Sequence, residues 1–192
     1  MNSQYFGFLL LASLLTVTAQ ADQTCRNNLE ESTPTSRFII NENGTITDTD
    51  TKITWMRCAM GQIWNGKTCT GNAQAYSWQE ARDAAAELNS DTFGEPTKWR
   101  LPLVPELASI TERKCFEPRV NLTVFPATPA KTFWTGMEKK GDKQHAYAID
   151  FGQGSVTPSK KSNAAFIRLM LDGPNGKWWE MKQPKAKGAL QD

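Results

Sequence analysis

The sequence predicts an α+β domain, because two helical patterns come first and a series of short β patterns follows. Residues 77–88 and a shorter segment that starts near Pro105 carry apolar residues at helical spacing. From residue 132 onward the apolar residues instead alternate or form short runs. This order is typical of a domain in which helices and an antiparallel sheet share one core.

Two helices can be placed in some detail. Ser77 and Glu80 form an S-x-x-E capping box, in which each side chain accepts a hydrogen bond from the backbone of the other residue. The apolar residues that follow lie on one face: Trp78, Ala81, Ala85 and Leu88. We expect this helix to end at residue 89. Pro105 suits the first turn of the second helix, whose Leu107 and Ile110 would face inward.

Short strands are predicted on both sides of the helices. Residues 37–40 and 45–48 are predicted to pair as a hairpin through Asn43-Gly44, which suits a type I′ turn. Residues 52–57 alternate between two faces. Further strands are predicted at residues 133–136, 145–151, 165–171 and 178–181. The third of these is an apolar run interrupted only by Arg168, as in a buried strand.

The four cysteines are predicted to form two disulfides, since an even count is typical of an oxidising compartment. Three pairings are possible. We favour Cys58–Cys69, which closes a glycine-containing loop, together with Cys25–Cys115, which ties the N-terminal segment to the domain. Each would stabilise the fold by about 2–4 kcal/mol. A metal site is not expected, because C-x-x-C is absent and His145 is the only histidine.

The chain is predicted to be exported as one domain. Residues 1–21 read as a signal peptide, with an apolar run at 6–17 that is too short to span a membrane and an A-x-A cleavage site at 19–21. Residues 22–36 form a polar segment tied by Cys25, residues 37–181 form the folded domain, and residues 182–192 form a polar, disordered tail. The expected location is the periplasm or the cell surface.

The net charge of +2 gives no argument for nucleic acid as a partner, because nucleic-acid-binding domains carry a strong or clustered basic excess. We expect no membrane insertion of the mature chain either, since no second apolar stretch approaches 18 residues.

Two sequence blocks carry a family resemblance. Residues 43–56 begin with N-G-T and include Asp48 and Trp55, and residues 98–107 contain W-R-L-P followed by P-E-L. Together they resemble the Lcl C-terminal domain family, named after a Legionella collagen-like adhesin, over roughly residues 38–170. The resemblance implies a C-type-lectin-like fold, with two helices on a small, twisted, mostly antiparallel sheet. It also implies a non-enzymatic module of adhesins or surface proteins, whose founding member binds sulfated glycosaminoglycans.

The residues that define the family are expected to serve its structure. They are Asp48, Trp55, Trp99, Arg100, Pro102, Glu106 and Trp134. Arg100 has a planar fork of donors suited to a buried carboxylate, for which Glu106 and Asp48 are the candidates.

Two groups of residues are candidates for ligand binding. Trp178 and Trp179 are adjacent, so in a strand one could enter the core while the other stacks on a sugar; the alternative is that both cover the core edge. Local basic clusters could meet sulfate or carboxylate groups, or could be solvated loop charge. The lysines concerned are Lys139, Lys140, Lys160 and Lys161.

The sequence favours binding over catalysis. It lacks the G-x-S-x-G and H-E-x-x-H motifs of hydrolases, and it lacks the E-P-N and W-N-D motifs of calcium-dependent lectins, so no calcium or other cofactor is expected. The leading hypothesis is an adhesin-like module that binds a sulfated or acidic glycan, or a protein surface. The alternatives are a periplasmic inhibitor or immunity protein that binds a partner enzyme, and an enzyme that uses two carboxylates to act on glycans.

Overall fold

The structure, a computed structural model, describes residues 23–90 and 98–173. It contains two α-helices, α1 (Trp78–Ser90) and α2 (Val104–Ser109). The described strands are β1 (Thr24–Cys25), β2 (Phe38–Ile40), β3 (Thr45–Asp48), β4 (Thr54–Met56), β5 (Ile63–Trp64), β6 (Cys69–Thr70), β7 (Cys115–Phe116), β8 (Thr132–Glu138), β9 (His145–Asp150), β10 (Val156–Lys160) and β11 (Met170–Leu171). The predicted signal peptide, the strand at 178–181 and the tail lie outside the described residues.

The α+β class is confirmed, but the expectation of one small sheet is wrong. The described strands form four antiparallel sheets, with the orders β1-β7, β10-β9-β8, β11-β4-β3-β2 and β5-β6. Most of these strands have only two to four residues, so the described ladders are short and none extends across the whole domain. Within the described part of the chain, neither helix is long and apolar enough to cross a membrane.

The three-stranded sheet separates two hydrophobic cores, with one helix on each face. Side chains alternate along a strand, so neighbouring residues of β8 and β9 enter different cores. The core on the α2 side contains Phe133, Ile149 and Phe151, packed with Leu107 and Ile110 of that helix. The core on the α1 side contains Trp134, Ala146 and Ala148, packed with Trp78, Ala81 and Ala85. Strands β8 and β9 therefore bury side chains on both faces of the sheet, whereas β10 is mostly exposed.

The first helix begins as the sequence predicts. The Ser77 N–H donates to Glu80 Oε2 (2.8 Å), and the Glu80 N–H donates to Ser77 Oγ (3.4 Å), which is the reciprocal capping box. Hydrogen bonding of the Glu80 carboxylate to the side chain and backbone of Ser77 holds the pKa of Glu80 below its usual value. The helix continues to Ser90, one residue beyond the predicted end. The second helix has Pro105 in its first turn, and its Leu107 is fully buried, as expected.

The hairpin between β2 and β3 is confirmed, but its turn is not type I′. Ile40 pairs with Ile46, and the Asn41 N–H donates to Thr45 O (3.0 Å), so three residues form the loop. Within that loop only Gly44 has a positive φ, of 79°. A Cβ at this position would lie 2.7 Å from Trp64 Cγ, so glycine is required by both the backbone angle and the close approach of Trp64.

The buried run at residues 165–171 is not a regular strand, contrary to prediction. Only Met170 and Leu171 pair with β4, while Ala165 bridges to Tyr76 and Phe166 bridges to Phe133. The segment changes partners along its length because it passes between the two larger sheets. The sequence also missed β10, whose residues are mostly exposed and therefore show no apolar alternation.

Both disulfides have the favoured pairing, Cys25–Cys115 and Cys58–Cys69. A second attachment holds the N-terminal segment beside the first of these bonds. The buried carboxylate of Glu112 accepts hydrogen bonds from the backbone and hydroxyl groups of Ser32 and Thr33 (2.8–3.1 Å) and from the Lys114 N–H (2.8 Å). Burial alone would raise the pKa of Glu112, but these bonds outweigh it and lower the pKa to about 2.

We expect Glu112→Gln to lower the free energy of unfolding by about 2–3 kcal/mol, because an amide N–H₂ would face several converging donors. The folded-state pKa lies below the ordinary value of 4.5, so the charged form stabilises the fold above that pH. This contribution should disappear as the pH falls from 4.5 toward about 2. Urea unfolding of both proteins at neutral and acidic pH measures the difference.

The matched control is Glu30→Gln, because Glu30 is an exposed residue of the same segment. It should leave stability nearly unchanged at every pH. Equal losses from the two variants would show that Glu112 has no special role.

Candidate ligand-binding groove

A groove of about 560 Å³ runs between α1 and the W-R-L-P segment, with the end of β8 along its side. Helix α1 supplies one wall and residues 99–103 supply the other. The side chains and backbone that give it chemical character are those of Trp78, Arg82, Trp99, Arg100, Gly136 and Glu138. The groove therefore combines two indole rings, two guanidinium groups and one carboxylate.

Backbone hydrogen bonds hold the two walls in place. Asn89 binds the backbone of Trp99 twice, since its Nδ2 donates to Trp99 O (2.9 Å) and its Oδ1 accepts from the Trp99 N–H (2.8 Å). The Gly136 N–H donates to Pro102 O (2.8 Å). A Cβ on Gly136 would lie 3.4 Å from Leu101 O, in van der Waals contact, so the strand packs directly against this wall.

Arg100 is held by two carboxylates, and Glu106 is its main partner. Its terminal nitrogens donate to Glu106 Oε2 (2.8 Å) and Oε1 (2.7 Å), and it also binds Asp172. Burial lowers the pKa of Arg100, but the bonds to Glu106 and Asp172 outweigh it and raise the pKa above its usual value. Glu106 is fully buried and also accepts the Leu103 N–H (2.5 Å).

Asp48, the other candidate partner of Arg100, binds Arg37 instead. Burial would raise the pKa of Asp48, yet the bond and charge of Arg37 lower it below its usual value. The remaining motif residues Trp55, Pro102 and Trp134 are also buried, and Trp134 Nε1 donates to Tyr76 O (2.9 Å). These side chains lie in the interior, and the structural role expected of the motif stays a prediction.

Trp78 carries two cations close to its ring. The guanidinium carbon of Arg82 lies 4.9 Å from the ring centroid, and Lys161 Nζ lies 4.3 Å from it. The indole is almost completely buried, and its Nε1 donates to Thr135 O (2.8 Å). Lys161 Nζ also lies 3.2 Å from Glu138 Oε2. A rigid indole thus fixes two positive charges at the edge of the groove.

The predicted lysines lie together at one end of the three-stranded sheet, and Lys161 contacts two residues that line the groove, Trp78 and Glu138. Lys160 stands opposite His145 in the ladder, and Lys139 pairs with Asp142 (3.3 Å). The His145 hydrogen bond is the main cause that lowers the pKa of Asp142 to about 2. Lys140 is exposed. Trp178 and Trp179 lie outside the described residues, so their roles stay predictions.

The sequence did not identify Arg82, Trp78 or Glu138 as candidates for binding. Trp78 and Arg82 are four residues apart on one helix, a spacing that places an arginine beside an indole, and this signal was available. For Glu138 the sequence contained no such signal, because its proximity to Lys161 depends on the pairing of strands in the β-sheet.

A second, smaller groove of about 300 Å³ lies along the other edge of α1 and is acidic. It contains Tyr76, Glu80, Asp83 and Glu87. Burial and the charge of Glu87 raise the pKa of Tyr76. The helix therefore separates two grooves of opposite charge. Among residues 23–90 and 98–173, no three His, Cys, Asp or Glu side chains form a group that could hold a metal ion.

We expect Arg100→Lys to lower the free energy of unfolding by about 2 kcal/mol, because an ammonium group cannot reproduce the fork to buried Glu106. Asp172→Asn, which removes the exposed partner of Arg100, should cost less than about 1 kcal/mol. Denaturant unfolding of the two variants tests this order, and a larger effect from Asp172→Asn would contradict it.

Comparison with known families gives one match. The model of the Lcl C-terminal domain matches residues 44–171, which is more than half of the chain. The matched region includes both helices, the W-R-L-P segment and every described residue named above as lining the first groove. No curated protein matches the chain.

Proposed function

Because the chain belongs to the Lcl C-terminal domain family, we propose that it is an exported binding module that recognises an acidic glycan and performs no chemistry. The family and the two disulfides support export to an oxidising compartment, the periplasm or the cell surface. The proposal includes a C-type-lectin-like architecture, for which the two helices and small antiparallel sheets give support. Fold alone does not identify the ligand, so the argument depends on the groove.

The observation that carries the proposal is the groove beside α1, where indole surface and fixed cations occur together. Trp99 is only half-buried, and an indole offers a flat apolar surface on which a sugar ring can stack. Arg82 is exposed and can donate paired hydrogen bonds to a sulfate or carboxylate. The volume of about 560 Å³ is within the usual range for small-ligand sites.

The state of the carboxyl groups supports binding without catalysis. A glycosidase needs one carboxylic acid with a raised pKa to protonate the leaving group. In the described part of the chain, the carboxyl groups whose pKa departs from its usual value are all shifted downward: Asp48, Glu80, Glu112 and Asp142. Each of them accepts hydrogen bonds within the protein that favour the charged form.

A protein partner is the second candidate, and the acidic groove on the other edge of α1 favours it. Its carboxylates could meet basic residues of a partner protein, as in a periplasmic inhibitor or immunity protein. This candidate would replace the glycan proposal if the protein bound a single basic partner protein, lost that binding on substitution of Asp83, and bound no glycan.

We expect the purified protein to bind heparin fragments at physiological salt, and Arg82→Gln to weaken this binding by about tenfold through loss of a charge-assisted hydrogen bond. Binding should weaken as salt increases and should persist in a chelator. Calorimetry or surface-based binding measures both effects.

The matched control is Arg26→Gln, which removes the same charge from an exposed residue of the N-terminal segment. It should bind like the wild type. If folded protein binds no acidic glycan, or if the two arginine variants weaken binding equally, the groove is not the site.

A further inference from the structure

Arg82, Arg100 and Lys161 are cations at or beside the groove. They differ in how many carboxylates of the protein already bind them. Arg100 binds two carboxylates, one of them buried. Lys161 binds the single carboxylate of Glu138 at 3.2 Å. Among the described residues, no carboxylate lies within salt-bridge distance of Arg82, which rests against Trp78. A ligand can therefore meet Arg82 without displacing any described carboxylate.

The Lys161–Glu138 pair is one that a ligand can open. The Glu138 side chain is 49% exposed, whereas Glu106 is fully buried and cannot leave Arg100 without losing its partner in the core. Exposed ion pairs contribute little to stability, so displacing Glu138 costs little. Glu138 also lines the groove, so a bound anion would stand beside it.

Lys161 would stay in position if Glu138 moved away. Its ammonium lies over the Trp78 ring, and its backbone carbonyl accepts the Trp78 N–H (2.9 Å). Its own N–H donates to Gln144 O (2.8 Å). The charge is thus fixed by contacts that do not involve Glu138.

From these contacts we infer that Lys161 is a second anion subsite of the groove, and that Glu138 is its resident competitor. The inference rests on the proposed function and narrows the ligand from acidic glycans in general to glycans with two anionic groups. Arg82 and Lys161 both lie within 5 Å of the Trp78 ring centroid, so their charges are less than about 10 Å apart. The ligand is a glycan unit with two anionic groups no more than about 10 Å apart, one for Arg82 and one that displaces Glu138 from Lys161.

The test compares two ligands on one scaffold: a non-sulfated chondroitin disaccharide with one carboxylate, and its monosulfated form with two anionic groups. Each competes against immobilised heparin for wild-type protein and for Glu138→Gln. We expect the variant to bind the doubly charged disaccharide about three- to tenfold more tightly, because the competing carboxylate is gone. Binding of the singly charged disaccharide should change by less than about twofold.

Two further variants separate a local effect from a general change in charge. Glu42→Gln removes one negative charge from the exposed hairpin loop and should leave both affinities unchanged. In a Lys161→Gln background, the gain in affinity from Glu138→Gln should disappear. This double-mutant cycle isolates the interaction between Lys161 and Glu138. Thermal unfolding and circular dichroism confirm that each variant is folded.

The outcomes distinguish the inference from the function on which it rests. If wild type binds the doubly charged ligand and Arg82→Gln weakens it, but Glu138→Gln gives no gain, the second subsite is overturned and the proposed function stands. A gain that persists in the Lys161→Gln background also overturns the subsite. A folded protein that binds neither disaccharide nor heparin overturns both.

Discussion

A fully buried guanidinium, that of Arg168, joins the end of β4 to residues 125–128. It donates to the backbone oxygens of Met56 (2.8 Å) and Arg57 and to Thr128 Oγ1 (2.7 Å), and it lies 4.7 Å from the Phe125 ring. Burial, and then the charge of Arg57, lower its pKa to about 9, so it remains a cation at neutral pH. No described carboxylate pairs with it, so the carbonyls at the end of β4 must stay where they are.

The position of Arg168 explains why some residues support the fold while others form the rim of the groove. The chain on either side of Arg168 changes partners, from Tyr76 at Ala165 to Arg100 at Met170, and so places α1 opposite the W-R-L-P segment. Two motif residues, Trp99 and Arg100, line the groove, and Arg100 is occupied by its ion pairs, whereas Asp48, Trp55, Glu106 and Trp134 are buried. Arg82, Lys161 and Glu138 lie at the rim, where their side chains can vary without loss of the fold.

Local signals in the sequence predicted the elements that depend on neighbouring residues. Patterns among nearby residues predicted the capping box of α1, its buried face and the β2–β3 hairpin. Strand β10 escaped prediction because its exposed residues, including Pro158, show no pattern. The groove escaped because Trp78 and Lys161 are distant in the chain and meet only through the sheet. The turn at Gly44 differs because packing of Trp64, which no local rule describes, fixes its shape.

The disulfide topology has a consequence for biosynthesis. Cys58 and Cys69 are separated by 11 positions and can join soon after both have emerged. Cys25 emerges before either of them, yet its partner follows only 90 positions later. Under the proposed export, the thiol of Cys25 would reach the oxidising compartment first and meet two wrong partners before the right one arrives. A thiol–disulfide isomerase can resolve such misplaced bonds, so we expect the yield of native protein to rise in the presence of that catalyst.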